Sequence, residues 1–544
     1  MKIFKYTIMA ILATSLFSCD FLDVEPLDSY TESNIFSDKN LTQAYVTRHY
    51  TLLANGFNHS ALRFVCDESR NNFSWDNSYT LTRGEMTPDQ YGGFGLWDSY
   101  YANIRSCNIF FDNIDKLEAD EQDKNMLIGE MTFLRAYYYM DLVRRYGGVP
   151  LITKTFTLDD DMELSRNSYE ECVDFIVKEF NKAAELLPLQ QSGSNFGRAT
   201  KGAALAMKAR MLLHAASPQW NTNNDKSKWQ NAADAAKAVI DLGIYSLDGD
   251  YKGLFLNPQS PEIIFERLYT SEYNNGFDWE NTPNGWTGWS ATCVLQDMVD
   301  SYEMEDGSMP DPAIYAKATE NPWKGRDPRF YASIVCDGQT FRDGVADFWI
   351  NEDGMTGGKD SEYGTDNWNK SDTHYTIRKF MDESLVSPWE TNGSQPWVYC
   401  RLAELYLNYA EASFEIGNEE EARKYVNLIR ERARAGKSNI LPDITVSGDK
   451  LREAIRHERK IELAFEEHRW YDVRRWLIAE RTDNGPENGI KIVKKSDGTK
   501  SYQIEQVDTR KFISPNHYLM PIPNSEIRKN AKLGYICQCA FFIH

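Results

Sequence analysis

Apolar and polar positions recur with a helical period in two long blocks of the chain. In the first, from about Tyr100 to Leu242, Met131 to Tyr146 reads as one helix, ended by Gly147, Gly148 and Pro150. Ser168, with Glu171 three residues on, forms a capping box that opens a helix running to about Leu187. An Ala-rich helix over Gly202 to Ala216 stops at Pro218, and another over Trp229 to Leu242 stops at Gly243. In the second block, Val398 to Ala479, a helix runs from Arg401 to Ile416, breaks at Gly417-Asn418, and restarts over Glu419 to Ala435. Small residues at Ala403, Ala410, Ala412 and Ala422 let such paired helices approach closely, so the pattern predicts tetratricopeptide-like hairpins. Residues 202–216 with 229–242, and 130–146 with 168–187, read as two further units of an irregular array.

Between the blocks, over about 244–397, the texture changes. Short apolar runs at Glu262 to Phe265 and Phe330 to Val335 read as strands, separated by loops rich in Gly, Asn, Asp and Pro. The predicted fold is therefore mainly α. A helical scaffold over about 30–243 and 398–544 carries a loop-rich insertion over about 244–397, all in one domain from residue 19 to 544.

Residues 1–18 read as an export leader, with Lys2 and Lys5 ahead of a short apolar run from Ile8 to Phe17. The leader ends Leu16-Phe17-Ser18-Cys19, a lipobox in which Cys19 would be acylated and would hold the protein on a membrane surface. An ordinary secretory signal with a chance cysteine is the alternative. No later stretch is apolar for the length a spanning helix needs.

The formal charge of −21 argues against a nucleic-acid partner, which would need clustered Lys and Arg. The spacing of the nine cysteines matches no zinc site, and several sit in apolar helical runs where a buried free thiol is expected. The eight histidines form no ligand pair, and no Gly-rich phosphate loop follows a strand, so neither metal nor cofactor is implied.

A set of motifs in a fixed order narrows the reading. They are Cys19-Asp-Phe-Leu-Asp23, Arg135-Ala-Tyr-Tyr-Tyr139 leading to Tyr146-Gly-Gly-Val-Pro-Leu151, Arg401 to Ala412, Val426 to Ala433, Glu458 to Trp476, and Met520-Pro-Ile-Pro523. In these the chain resembles the SusD/RagB family of outer-membrane nutrient-binding lipoproteins over nearly its whole length. Its end departs from the family's usual Gln-Asn-Pro-Gly-Tyr segment, reading Leu533-Gly-Tyr-Ile-Cys-Gln-Cys-Ala. The resemblance implies a tetratricopeptide-like scaffold seated on a TonB-dependent transporter barrel at the cell exterior, a shallow aromatic glycan site, and no catalysis.

Sugars present flat apolar C–H faces ringed by hydroxyls, so a site for them needs aromatic platforms with polar neighbours. Two segments offer both, Asp67 to Tyr79 and Phe277 to Ser290. The candidate ligand-binding residues are Arg70, Asn72 and Trp75 in the first, Trp279, Trp286 and Trp289 in the second, and Trp323 in a similar loop, with Trp349 and Trp368 weaker. A plug buried under a loop is the competing reading for Trp75. Trp97, Trp470 and Trp476 lie on apolar helix faces and read as core. On the charged helix predicted over Glu453 to Arg475, Glu458, Glu462 and Glu466 recur every four residues and invite a glycosidase reading. Pairing with Arg456, Arg459, Lys460 and Arg469 on the same helix is the simpler account. Oligosaccharide capture for a barrel partner is the leading expectation. Peptide capture by the same type of protein and surface hydrolysis are the alternatives.

Overall fold

The computed structural model describes residues 32–317, 321–385, 389 and 393–534. The leader, Cys19 and the divergent C-terminal segment with Cys537 and Cys539 lie outside the described residues.

The scaffold consists of α1 (Lys39–Thr51), α2 (Trp97–Asn113), α3 (Glu121–Tyr146), α4 (Tyr169–Leu186), α5 (Lys201–Ala216), α6 (Lys226–Ile240), α7 (Leu402–Glu415), α8 (Glu419–Ala433) and α9 (Asp449–Glu462), followed by the short α10 (Arg469–Arg475). Helices α3 to α8 pack each against the next, which is the expected stack of hairpins. Side chains cap the starts of α1, α3, α4, α5, α6 and α8. Ser168 Oγ accepts from Glu171 N at 3.1 Å while the Glu171 carboxylate accepts from Ser168 N at 2.8 Å. Gly417, at φ 96°, makes the turn between α7 and α8, a left-handed conformation that glycine adopts without steric cost. Helix α3 begins ten residues before Met131, because Asp120 caps it and its polar first turns lie at the surface. From Gly129 to Tyr146 every residue of α3 is buried, which makes this helix the centre of the core. Trp97, Trp470 and Trp476 are buried, as their spacing predicts.

The strands are short. β1 (Ser69–Asn71), β3 (Thr292–Val294), β5 (Thr376–Ile377) and β4 (Ile334–Val335) form one antiparallel sheet in that order, and β2 (Ile263–Arg267) pairs with β6 (Trp397–Arg401). Three sequence expectations need correcting. Residues 330–333 belong to a helix, Pro328–Ser333, because Asp327 caps it and Pro328 fills its first position, so the strand there shrinks to 334–335. The C-terminal part carries a long hairpin, β7 (Gly485–Lys494) with β8 (Lys500–Arg510), in place of helix.

The third correction concerns the charged helix. Residues 453–475 form two helices, with Phe465 and Glu467 at φ 64° and 66° in the turn between. The three carboxylates do not pair along their own helix. Arg401 reaches Glu262, Glu462 and Glu466, each at 2.6 Å, and Arg329 reaches Glu458 at 2.5 Å and Glu462 at 3.0 Å. Arg430 meets Glu458 at 3.0 Å, and Lys379 meets Glu466 at 2.6 Å. Meanwhile Arg459 turns to Asp472 at 2.7 Å, and Lys460 and Arg469 turn to Asp67. Burial raises Glu458 and Glu466, but Arg329 and Arg401 outweigh it and hold both below the ordinary carboxylate range. These groups tie the inserted segment to the scaffold.

Cys66, Cys107, Cys172, Cys293, Cys336 and Cys400 are free and buried, and burial pushes each thiol up. All six are expected to escape iodoacetamide in the native protein and to react once it is unfolded. Peptide mapping by mass spectrometry reads this, and native labelling of any of the six would contradict the burial.

Candidate functional site: an interlocked aromatic surface

The register Ser69↔Val294, Arg70↔Cys293, Asn71↔Thr292 brings the segment after β1 alongside the segment before β3. That pairing joins the two aromatic-rich stretches, which lie about 200 positions apart in sequence. Phe73 and Trp75 stack at 5.2 Å with 14° between their planes. Phe73 meets Trp289 edge-on at 5.6 Å, and Trp289 meets Trp279 edge-on at 4.4 Å. Trp389 lies against Trp279 at 4.7 Å and 28°, and touches Trp289 at 5.4 Å. Offset-stacked and edge-on pairs are the favoured aromatic geometries, so the five rings brace one another. Trp75 is 68% exposed and Trp389 47%, while Trp279 and Trp289 are half-buried beneath them. Trp75 is therefore no plug.

The rings are carried by a clamped turn. The short helix Phe277–Asn281 is pinned by the buried Phe277 and by Asp278, whose carboxylate accepts from Asp382 N at 2.8 Å and Gln395 Nε2 at 2.7 Å. Trp289 N donates to the Trp279 carbonyl at 3.2 Å, Ser290 N to that of Thr282 at 3.1 Å, and Ala291 N to that of Glu280 at 2.8 Å. A Cβ at Gly288 would lie 2.1 Å from the Thr282 carbonyl oxygen. Gly288→Val should therefore displace Trp289 while leaving the distant helical core folded. Near-UV circular dichroism, which reports the packed indoles, checks this, and an unchanged spectrum would contradict it.

Asn72 is a positioning residue. Its Nδ2 donates to the carbonyls of Trp289 at 3.3 Å and Lys370 at 2.7 Å, and its Oδ1 accepts from Asp372 N at 3.3 Å. One buried amide thus holds together the segments bearing Trp75, Trp289 and Trp368, the last 83% exposed. Exposed hydrogen-bonding side chains stand on these segments at Ser74, Asn77 and Asn367. Beside Trp279, Glu280 faces the exposed His59 at 3.6 Å, and burial raises its carboxyl.

Three expected ligand residues do not join this surface. Arg70 is buried, donating to the Tyr79 hydroxyl at 2.7 Å among Glu487, Asp508 and Asp372, so it supports β1 from within. Trp286 gives its indole N–H to Asp343 at 2.8 Å and packs on Phe341, and Lys359 covers its face at 3.2 Å from the ring centre. Trp323 is wholly buried, bonded to the Tyr375 hydroxyl at 3.2 Å, and is a core residue. Conversely, Trp389 joins the surface without being a sequence candidate, although Pro388-Trp389-Glu-Thr-Asn-Gly393 has the same polar, Gly/Asn-bearing texture that marks the other loops. Among the described residues no cluster of His, Cys, Asp and Glu could hold a metal ion, and no helix is long and apolar enough to cross a membrane.

A helical-hairpin scaffold presenting solvent-facing indoles beside hydrogen-bonding groups defines a ligand-binding class of protein. The chain belongs to the SusD family, matching its description over residues 261–535, and residues 20–213 match a family described as starch-binding associating with outer membrane. That family binds carbohydrate and is not one of enzymes. The curated SusD-like protein P25 of Formosa agariphila is 24% identical, with 98% of each chain covered. A SusD-like protein from Bacteroides fragilis superposes with a TM-score of 0.80 at 32% identity, covering 94% of this chain and 99% of its own. A laminarin-binding SusD-like protein superposes with a TM-score of 0.66 at 21% identity, covering 92% and 99%.

Proposed function

We propose that the protein captures oligosaccharides on the Trp75–Trp279–Trp289–Trp389 surface and delivers them to a TonB-dependent barrel in the outer membrane, held there by a lipid on Cys19 and facing the cell exterior. The observation that carries glycan capture is the pair of exposed indoles braced from below by other rings. Large apolar faces left in water beside polar groups suit the C–H faces of a sugar, and their rigidity keeps the ordering cost of binding low. A laminarin-binding neighbour of the same fold supports the ligand class. The lipobox at Leu16 to Cys19 supports the anchor, and the resemblance to SusD/RagB proteins supports the barrel partner.

Isothermal titration of the mature protein against a panel of oligosaccharides and peptides tests the ligand class. At least one glycan is expected to release heat with a shift in Trp fluorescence. Heat from peptides alone would transfer the surface to peptide capture. Co-purification of the membrane-extracted protein with a large barrel tests delivery.

A further inference from the structure

The scaffold also encloses a polar cavity of ≈ 500 Å³ between the loop after α1, α3, β6 and the turn before α10. Exposed residues Asn58, Ser60, Gly93 and Ser99 frame its mouth. Well-packed interiors hold few voids larger than a water molecule, so an open internal space of this size is a departure that calls for an occupant.

The charges around it do not balance. Arg210 is taken by Glu404, with contacts of 2.7 and 2.6 Å, and Glu466 by Arg401 and Lys379. Glu467 accepts the backbone N–H of Leu62 at 2.5 Å and Arg63 at 3.1 Å. Arg267 donates to the Thr51 carbonyl at 3.2 Å, a neutral acceptor that also lines the cavity. Burial pushes His468 down to about 3, so it is neutral. What remains is three guanidiniums, Arg144, Arg145 and Arg267, against two carboxylates, Asp141 and Glu467. Arg144 meets Asp141 through a single nitrogen at 3.2 Å, lies on the Tyr471 ring at 3.5 Å, and keeps its Nε buried without a partner. Arg145 donates to the Tyr471 hydroxyl at 3.1 Å and the Phe94 carbonyl at 2.6 Å, both neutral acceptors. Both arginines are more than nine-tenths buried. A buried guanidinium without its counter-charge is costly, and a planar oxyanion matches its fork of donors.

We propose that this cavity is a binding site for a small ligand bearing an oxyanion, a carboxylate or a sulfate or phosphate group, held by Arg144 and Arg145, with Tyr100 and Tyr471 lining the pocket around it. The site is separate from the aromatic surface and does not depend on what that surface binds.

The test uses the full mature protein. Acetate, glucuronate, sulfate and phosphate are each titrated calorimetrically, and their effect on Tm is followed against sodium chloride at equal ionic strength. At least one anion is expected to bind saturably at one site and raise Tm, and the carboxylates and the inorganic anions tell the two sources apart. Arg144→Met and Arg145→Met should each weaken that binding about tenfold or more, the worth of a charged hydrogen bond. Ser60→Trp, at the exposed mouth, should block entry while leaving the guanidiniums in place, and keeps the idea testable if the arginine variants do not fold. A selenate soak should place anomalous density within hydrogen-bonding distance of Arg144 or Arg145. No saturable binding beyond chloride, equal affinity in the folded variants, or selenate only elsewhere would overturn the proposal.

Discussion

Trp389→Ala and Trp75→Ala are each expected to weaken binding of the best glycan by about 2 kcal/mol, roughly 30-fold in Kd. Both rings are exposed, so removing them costs the fold little. The two differ in what they leave behind. Trp75 rests on Phe73 alone, whereas Trp389 shields Trp279 and Trp289, so its loss exposes two more rings. The Trp389 variant should therefore show the larger fluorescence change even without ligand. Asn72→Ala should weaken binding less directly, by releasing the segments its amide ties together. Trp286→Ala, at a ring already covered by Lys359, should leave affinity within about twofold, because it removes no platform. Calorimetry with the four variants reads this order, and equal losses for Trp286 and Trp389 would mean that the ligand lies elsewhere.

The second large effect concerns stability. Arg401→Met strips the shared counter-charge from Glu262, Glu462 and Glu466, all buried, and is expected to destabilise the protein by about 3–5 kcal/mol. Against a typical total of roughly 5–15 kcal/mol that is a severe loss. Arg423→Met, which removes a surface pair with Glu419 and two 3.3 Å contacts to the Val446 carbonyl and the Ser447 hydroxyl, should cost about 1 kcal/mol or less. Urea midpoints at neutral pH separate the two, and similar midpoints would show that the buried network contributes nothing.

The same network sets the response to acid. Glu458, Glu462 and Glu466 have folded values below the ordinary 4.5, so their contribution is present above pH 4.5 and is lost as pH falls below it. His468 and His517, lowered to about 3 and about 4, are protonated first in the unfolded chain, so each costs stability as pH falls below 6.5. Glu68 and Glu266 run the other way. Burial raises both to about 8, and the stability they contribute, full below pH 4.5, is lost as pH rises towards 8. The opposing sets partly cancel between pH 8 and 4.5, and below 4.5 the losses of Glu458, Glu462 and Glu466 are no longer offset by Glu68 and Glu266. A shallow profile that turns steep below pH 4.5 is the expected Tm curve.

What could be read from the sequence divides along physical lines. Helices with local signals were legible, since the Ser168–Glu171 box and the Gly417-Asn418 break are written within a few residues of the ends they make. The hairpin over 485–510 carried a signal too. Ile490 and Ile492 face Ile504 and Tyr502 with polar residues between, an alternation of period two that marks a strand. The ion network was not legible, because Glu458 has basic neighbours on its own helix, and only the tertiary fold delivers Arg329 and Arg430 instead. For the site, composition found the loops but not the orientations. Trp279, Trp286 and Trp289 share one short stretch, yet the turn at Gly288 sends two rings to the cluster while Asp343 and Lys359 hold the third. Trp323 sits in a polar loop by sequence and in the core by structure, because its indole N–H finds Tyr375 there.

The structure of the protein with the tightest-binding oligosaccharide from the panel tests the whole account most directly. A pyranose face lying parallel to the ring of Trp75 or Trp389, with its hydroxyls bonded to side chains of the same loops, is the predicted result. A ligand bound with both of those rings still open to water would contradict it.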